Sequence, residues 1–318
     1  MKTRSKIWIS IAAIVVVLTG ICIGGGLYML DFALRPDQMS VEEAEKYTRE
    51  RHKAINPWLD SLRAEEALVD TFIVAPDGLQ LHAVYAKAQK PTRRTAVIVH
   101  GYTDQAMEML HIGYLYHHDL GFNILLPDLR FAGKTGGDAI QMGWKDRLDV
   151  MQWIDETENL FGKDLEIVVH GISMGGATTM MTSGEKLPAS VKCFVDDCGY
   201  TSVWDQFSKE LKEQFGLPNF PLLHTASWLC GMKYGWKFKE ASALEQVKKC
   251  ELPMLFIHGD QDDYVPTWMV YDLYEAKSEP KELWITEGVG HARSYDVYPE
   301  EYTEHVRNFT DKYLRTRP

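Results

Sequence analysis

An α/β architecture is what this sequence predicts: a mostly parallel central sheet with helices on both faces, a small helical cap, and one N-terminal transmembrane helix ahead of it. Three observations carry that reading. Short apolar, β-rich runs alternate with helical stretches from residue 69 to the C-terminus. One glycine-bounded serine sits where such a run turns into a helical one. Ile7 to Leu30 is a run of 24 residues without a formal charge.

The apolar run comes first in the chain. As a helix it would span about 36 Å, enough to cross a hydrocarbon core of about 30 Å. Lys2, Arg4 and Lys6 precede it and are the only charges in residues 1–30. The positive-inside bias predicts a single-pass membrane protein with a cytoplasmic N-terminus and the remaining chain extracytoplasmic. A cleaved signal peptide fits less well, because the run is longer than an h-region and no A-x-A-like site follows. A lipoprotein reading rests on Leu18-Thr19-Gly20-Ile21-Cys22, a lipobox displaced by one residue. Gly24-Gly25-Gly26 is expected to weaken the last turns of the helix.

The chain's 318 residues carry 34 Lys+Arg against 45 Asp+Glu, a net charge of −11. With the three N-terminal basic residues set aside, residues 31–318 hold 31 basic against 45 acidic side chains, a net of −14. An acidic body without a basic stripe argues against nucleic acid as a partner, since such binding depends on neutralising phosphates. Five cysteines are too few for a disulfide scaffold.

Residues 31–68 read as a helical stalk or flanking segment. Ser40 and Glu43 form a capping box ahead of VEEAEKYTRERHKAI, and Pro57 interrupts the run. Residues 69–318 form the main domain. Val69–Ala75 and Leu79–Ala86 flank Pro76-Asp77-Gly78 and predict a hairpin. Further strands are predicted at 95–100, 122–127, 166–170, 191–196, 254–258 and 281–286. Helical patterns fill 105–120, 143–161, 174–186, 267–277 and 299–314. The stretch 200–247 breaks the rhythm with Trp204, Trp228, Trp236, Pro218 and Pro221, and predicts a cap insertion. Its aromatic residues either form the cap's own core or line an acyl pocket.

The chemistry centres on Gly171-Ile172-Ser173-Met174-Gly175, which follows EIVVH and opens MGGATTMMTS. Such a strand–turn–helix setting is a nucleophile elbow. Gly171 and Gly175 are required because a Cβ at either flank would collide with neighbouring chain. A serine nucleophile needs an imidazole base and a carboxylate that orients it. Of the downstream histidines, His291 in Gly288-Val289-Gly290-His291-Ala292 lies just after the last strand and is the expected base. His258 ends a strand and reads as structural, while His224 and His305 fall in the cap and the last helix. For the acid, Asp260, Asp262 and Asp263 crowd one loop, with Asp196 and Asp197 as positional alternatives. No metal-binding spacing appears among the histidines, so neither a metal nor a cofactor is expected. Gly133-Lys134-Thr135 lacks the earlier glycine of a P-loop, since Asp128 stands there.

The order of five motifs resembles the α/β-hydrolase superfamily, in its compact esterase and prolyl-oligopeptidase-related branch. These are His100-Gly101-Tyr102, Asp128-x-Arg130, the elbow at 171–175, HGDQDDYVP at 258–266 and GVGHA at 288–292. The resemblance covers about residues 70–315. It implies Asp262 as the acid and the backbone N–H groups of Tyr102 and Met174 as an oxyanion hole. It implies a serine hydrolase cleaving an ester in a small-molecule acyl substrate, with a serine peptidase or acyltransferase using the same triad as the alternative. An inactive hydrolase fold serving as a binding module is the reading from a different class. His-Gly-Tyr stands where lipases carry a run of glycines, so the resemblance does not extend to a lipase-like bulky acyl pocket.

Overall fold

The computed structural model describes residues 2–314, with side chains from Lys6 onward. Helix α1 (Lys2–Leu34) opens the chain, followed by α2 (Val41–Arg51) and α3 (Asn56–Ala64). A hairpin of β1 (Val69–Val74) and β2 (Gln80–Ala86) comes next. Then follow β3 (Arg94–Val99), α4 (Leu110–Tyr114), β4 (Asn123–Pro127), α5 (Asp146–Phe161), β5 (Glu166–Ile172), α6 (Met174–Ser183) and β6 (Val191–Asp197). Three helices interrupt the alternation: α7 (Val203–Phe215), α8 (Leu222–Tyr234) and α9 (Ala243–Val247). The chain closes with β7 (Met254–Gly259), α10 (Trp268–Ala276), β8 (Lys281–Thr286), α11 (Ser294–Val297) and α12 (Pro299–Tyr313).

The eight strands form one sheet in the order β1-β2-β4-β3-β5-β6-β7-β8. Only β1–β2 and β2–β4 pair antiparallel, and every pair from β3–β4 to β7–β8 is parallel. Parallel strands need helical crossovers, which bury both faces, so the central strands are apolar throughout rather than alternating. In β3, Val97 and Val99 enter one core while Ala96 and Ile98 enter the other, as the two-residue period of a strand requires. One face is covered by α5, α6, α10, the cap helices and the end of α1. The other is covered by α2, α3, α4 and α12.

Two segments ahead of the sheet pack against the domain. The three glycines do not break α1, which runs unbroken to Leu34. Gly25 and Gly26 let α8 approach it instead. A Cβ on Gly25 would stand 2.9 Å from Leu222 Cδ1, and one on Gly26 would stand 2.9 Å from Leu229 Cδ1. Leu30 and Leu34, one and two turns further, are buried in the domain core. Residues 41–64 lie flat against the sheet, with Ala44, Trp58, Leu59 and Leu62 packed into its second core. The Ser40–Glu43 capping box is present as the sequence predicts. Among the described residues α1 is the one helix long and apolar enough to cross a membrane.

Candidate active site

Ser173 stands on a sharp turn between β5 and α6, with φ 58° and ψ −119°. That left-handed backbone is costly for a residue with a Cβ and lifts the hydroxyl off the sheet. The turn is held by the Ser173 N–H, which donates to the Asp197 carbonyl at 2.8 Å. A Cβ at Gly171 would meet the Gly175 carbonyl oxygen at 2.0 Å, and one at Gly175 would meet the Val99 oxygen at 2.1 Å. The flanking glycines therefore answer to close backbone approach.

Ser173, His291 and Asp262 come from three loops at the C-terminal ends of parallel strands, where open α/β sheets place their ligands. The Ser173 Oγ lies 2.8 Å from His291 Nε2. His291 Nδ1 lies 2.7 Å from Asp262 Oδ2. The other carboxylate oxygen, Asp262 Oδ1, accepts the Tyr264 and Val265 amides at 3.0 and 2.9 Å. Burial opposes the charge on this carboxylate, but the His258 and His291 hydrogen bonds outweigh it and hold its pKa at about 2.

The crowded carboxylates separate cleanly by partner. Asp260 accepts the Gly288 amide and Asp263 is exposed. Asp196 accepts the Gly199 amide, and Asp197 accepts the Tyr302 hydroxyl at 2.9 Å. Burial raises Asp196 to about 8 and Asp197 to about 6. Tyr302 in turn lies 3.0 Å from His170 Nε2, and Tyr116 3.1 Å from His170 Nδ1. Burial lowers His170 to about 3, so it is a neutral link in this chain. Asp197 thus braces the elbow from beneath through its carbonyl and its tyrosine partner.

His258 has a larger part than its strand-end position suggested. Its Nε2 lies 2.8 Å from the Val265 carbonyl and 3.2 Å from Asp262 Oδ2. Both are acceptors, so Nε2 carries a proton and the Asp262 carboxylate faces two imidazoles. The four-residue spacing from His258 to Asp262 was the available signal. Cys198 completes the surroundings, its thiol within 4.8 Å of the Asp262 and His291 ligand atoms. Burial pushes that thiol well above its ordinary pKa, which leaves it protonated and a poor metal ligand.

Of the resemblance motifs, His100-Gly101-Tyr102 shapes the loop after β3. His100 Nδ1 lies 2.8 Å from the Gly101 carbonyl, while its Nε2 accepts the Leu129 amide at 2.9 Å. Tyr102 borders the same cavity as Ser173. Its hydroxyl donates to the Ala33 carbonyl of α1 at 2.8 Å. Met174 is the first residue of α6, so its amide has no intrahelical acceptor. Asp128 and Arg130 are architectural. The Asp128 carboxylate accepts the Ala106 and Lys134 amides, and Arg130 clamps Asp149 at 2.6 and 2.9 Å.

In front of Ser173 opens a cavity of about 570 Å³. Phe207, Leu211, Leu222, Leu223 and Phe238 of the cap region form one wall, and Tyr28, Met29 and Phe32 of α1 form another. The absence of a glycine run after β3 pointed away from a bulky acyl site, but the space comes from the cap and α1 rather than from that loop. Of the two readings of the cap aromatics, the cap's own core fits Trp236 and Tyr234. Trp236 is buried and donates to Gln141 Oε1 at 2.9 Å, Tyr234 is buried, and Trp228 faces outward. None of these three borders the cavity.

The family profile described as the prolyl oligopeptidase family matches residues 115–317. The chain belongs to that family. YqkD, an uncharacterized protein of Bacillus subtilis, is 32% identical over 227 residues, covering 71% of this chain and 74% of its own. The putative esterase YitV of the same organism is 25% identical over 223 residues, covering 64% and 84%. Among solved structures, the Pyrococcus furiosus esterase Pf2001 superposes with a TM-score of 0.63 at 24% identity, covering 78% of this chain and 93% of that one. The family member described here therefore carries the α/β-hydrolase fold and is a hydrolase of the esterase and peptidase-like kind.

Proposed function

We propose that this protein is a membrane-anchored serine hydrolase that cleaves an ester bond through a Ser173–His291–Asp262 triad. The observation that carries the reading is the unbroken line of hydrogen bonds from the Ser173 hydroxyl through both nitrogens of His291 to the Asp262 carboxylate. In the first step Ser173 Oγ attacks the ester carbonyl and His291 Nε2 takes its proton. Asp262 fixes the imidazole tautomer, and the Tyr102 and Met174 amides stabilise the oxyanion, each worth about 10²–10³ in rate. The alcohol leaves with the proton from His291, and water then releases the acyl group by the reverse sequence. The esterase designations of YitV and the Pyrococcus protein support an ester over an amide. The family description favours a peptidase as the second reading.

In this reading residues 1–30 are a cytoplasmic tip and anchor, 31–68 a flanking segment, and 69–318 the hydrolase domain with its cap at about 200–247. The basic N-terminus supports an extracytoplasmic domain. Labelling by a fluorophosphonate, abolished in Ser173→Ala, tests the nucleophile. Hydrolysis of acyl esters set against matched amides separates esterase from peptidase. Failure of the wild-type protein to label would refute the enzyme reading altogether.

A further inference from the structure

The cavity at Ser173 is bounded by the same helix that carries the apolar span. Tyr28, Met29 and Phe32 line it, and they lie in the two turns around Leu30, where the uncharged run ends. The cap helix α8, which supplies Leu222 and Leu223 to the cavity lining, meets α1 at Gly25 and Gly26. Gly26 lies four residues, or about 6 Å, inside the end of that run. A surface crossing α1 at this depth sits at the headgroup–acyl boundary when α1 spans a bilayer, the level at which amphipathic helices bury their apolar faces.

The outer face of the cap suits that level. Phe220 is 73% exposed, Met232 67% and Trp228 52%, with Leu217 exposed beside them. Such side chains cost free energy in water, and a tryptophan at the boundary can place its ring among acyl carbons and its N–H among headgroups. The helix that carries Trp228 and Met232 packs directly on α1 at Gly25 and Gly26, so the exposed apolar surface of α1, Leu27 included, continues from it. That continuity names the occupant as a lipid surface.

We propose that the cap lies in the membrane interface with α1, and that the cavity receives its substrate from the bilayer. The substrate class is an amphiphilic ester with an uncharged or zwitterionic head and an acyl tail that partitions into lipid. The wall of Phe207, Leu211, Leu222 and Leu223 fits the tail. Among charged residues bordering the cavity, Asp31, Asp37 and Glu210 outnumber Arg35, which disfavours an anionic head. The reaction is the same ester hydrolysis at Ser173, and the inference rests on that reading.

The test uses the full chain in phosphatidylcholine vesicles with two esters, water-soluble p-nitrophenyl butyrate and bilayer-partitioned p-nitrophenyl palmitate. The triple variant Phe220→Asn, Trp228→Gln, Met232→Gln alters the outer cap face and no residue of the site. It is expected to keep kcat/KM on the butyrate within twofold and to lose at least tenfold on the palmitate. Equal losses on both esters, or none on the palmitate, would overturn the proposal. A second measurement does not depend on that variant. Brominated phosphatidylcholine should quench the Trp228 emission, read as the difference between wild type and Trp228→Phe. Absence of quenching, including a face covered by a second copy of the chain, would overturn membrane docking. Wild type that cleaves the butyrate but not the palmitate refutes the substrate class alone, whereas inactivity on both refutes the esterase reading beneath it.

Discussion

Replacing Asp262 with Asn separates the orienting role of this side chain from its structural one. The Asn has two ways to fit. With its amide nitrogen toward the loop it would face the Tyr264 and Val265 N–H groups that Asp262 now accepts at 3.0 and 2.9 Å. The buried Val265 N–H would then be orphaned at about 1–3 kcal/mol, with a smaller loss at the more exposed Tyr264. The other fit keeps Oδ1 on those amides and turns Nδ2 toward His291 Nδ1, now 2.7 Å from the carboxylate, leaving the His258 Nε2–H with the Val265 carbonyl alone. A donor there forces the imidazole proton onto Nε2, facing the Ser173 hydroxyl, and the base is lost. A wrong-tautomer histidine costs about 10⁴ in kcat, or about 5 kcal/mol of barrier. The folded carboxyl sits at about 2 against an ordinary 3.8. Its ionisation therefore adds about 2 kcal/mol of stability that is complete above pH 3.8 and is lost as pH falls through about 2. The Asn variant forgoes that contribution and should melt a few degrees lower at neutral pH. The assay is kcat/KM on a soluble ester together with the fluorophosphonate labelling rate, with Asp260→Asn as the comparison. A loss under tenfold in Asp262→Asn, or an equal loss in Asp260→Asn, would refute the assignment.

Gly175→Ala places a methyl 2.1 Å from the Val99 oxygen and 2.6 Å from that of His100, and neither backbone carbonyl can yield without moving β3. It should cost about 1–3 kcal/mol and abolish labelling of Ser173; a wild-type melting temperature with full labelling would contradict the elbow geometry. Truncation to residues 31–318 strips Tyr28 and Met29 from the cavity and uncovers Leu222 and Leu229. That form should aggregate or melt well below the full chain in detergent, and equal melting temperatures would show that α1 contributes nothing to the domain.

The parallel core and the elbow were legible because their signals are local. β5 is a continuous buried run, and the glycines beside Ser173 stand where backbone crowds. The choice among Asp260, Asp262 and Asp263 was not legible from the residues themselves, because all three share one loop. Only partners reached through the fold distinguish them: Gly288 for Asp260, solvent for Asp263, and His291 for Asp262. The brace from Tyr116 through His170 and Tyr302 to Asp197 was invisible for the same reason, since its members are up to 132 residues apart along any one bond. Which cap side chains face the cavity was not legible, because both readings of its aromatics fit the same residues until the fold supplies their partners. The cavity instead uses Phe207, Phe238 and Leu222, while Trp236 is spent on a buried hydrogen bond to Gln141.

The glycine triplet shows how one sequence feature changes meaning with its surroundings. In an isolated helix it removes side chains and raises the entropy cost of folding, so it reads as weakness. Against α8 the missing side chains are what allow contact, and small residues serve this purpose where helices pack in lipid. The contact fixes α1 at Gly25 and Gly26, buries Leu30 and Leu34, and ties the last turn to the loop after β3 through Tyr102 and Ala33. Tyr102 is also the residue whose amide is proposed to meet the oxyanion. A displacement of α1 relative to the sheet would therefore be felt at the cavity wall and at that loop together. On this argument the apolar helix is a structural wall of the site, and the serine's surroundings are complete only where that helix is held.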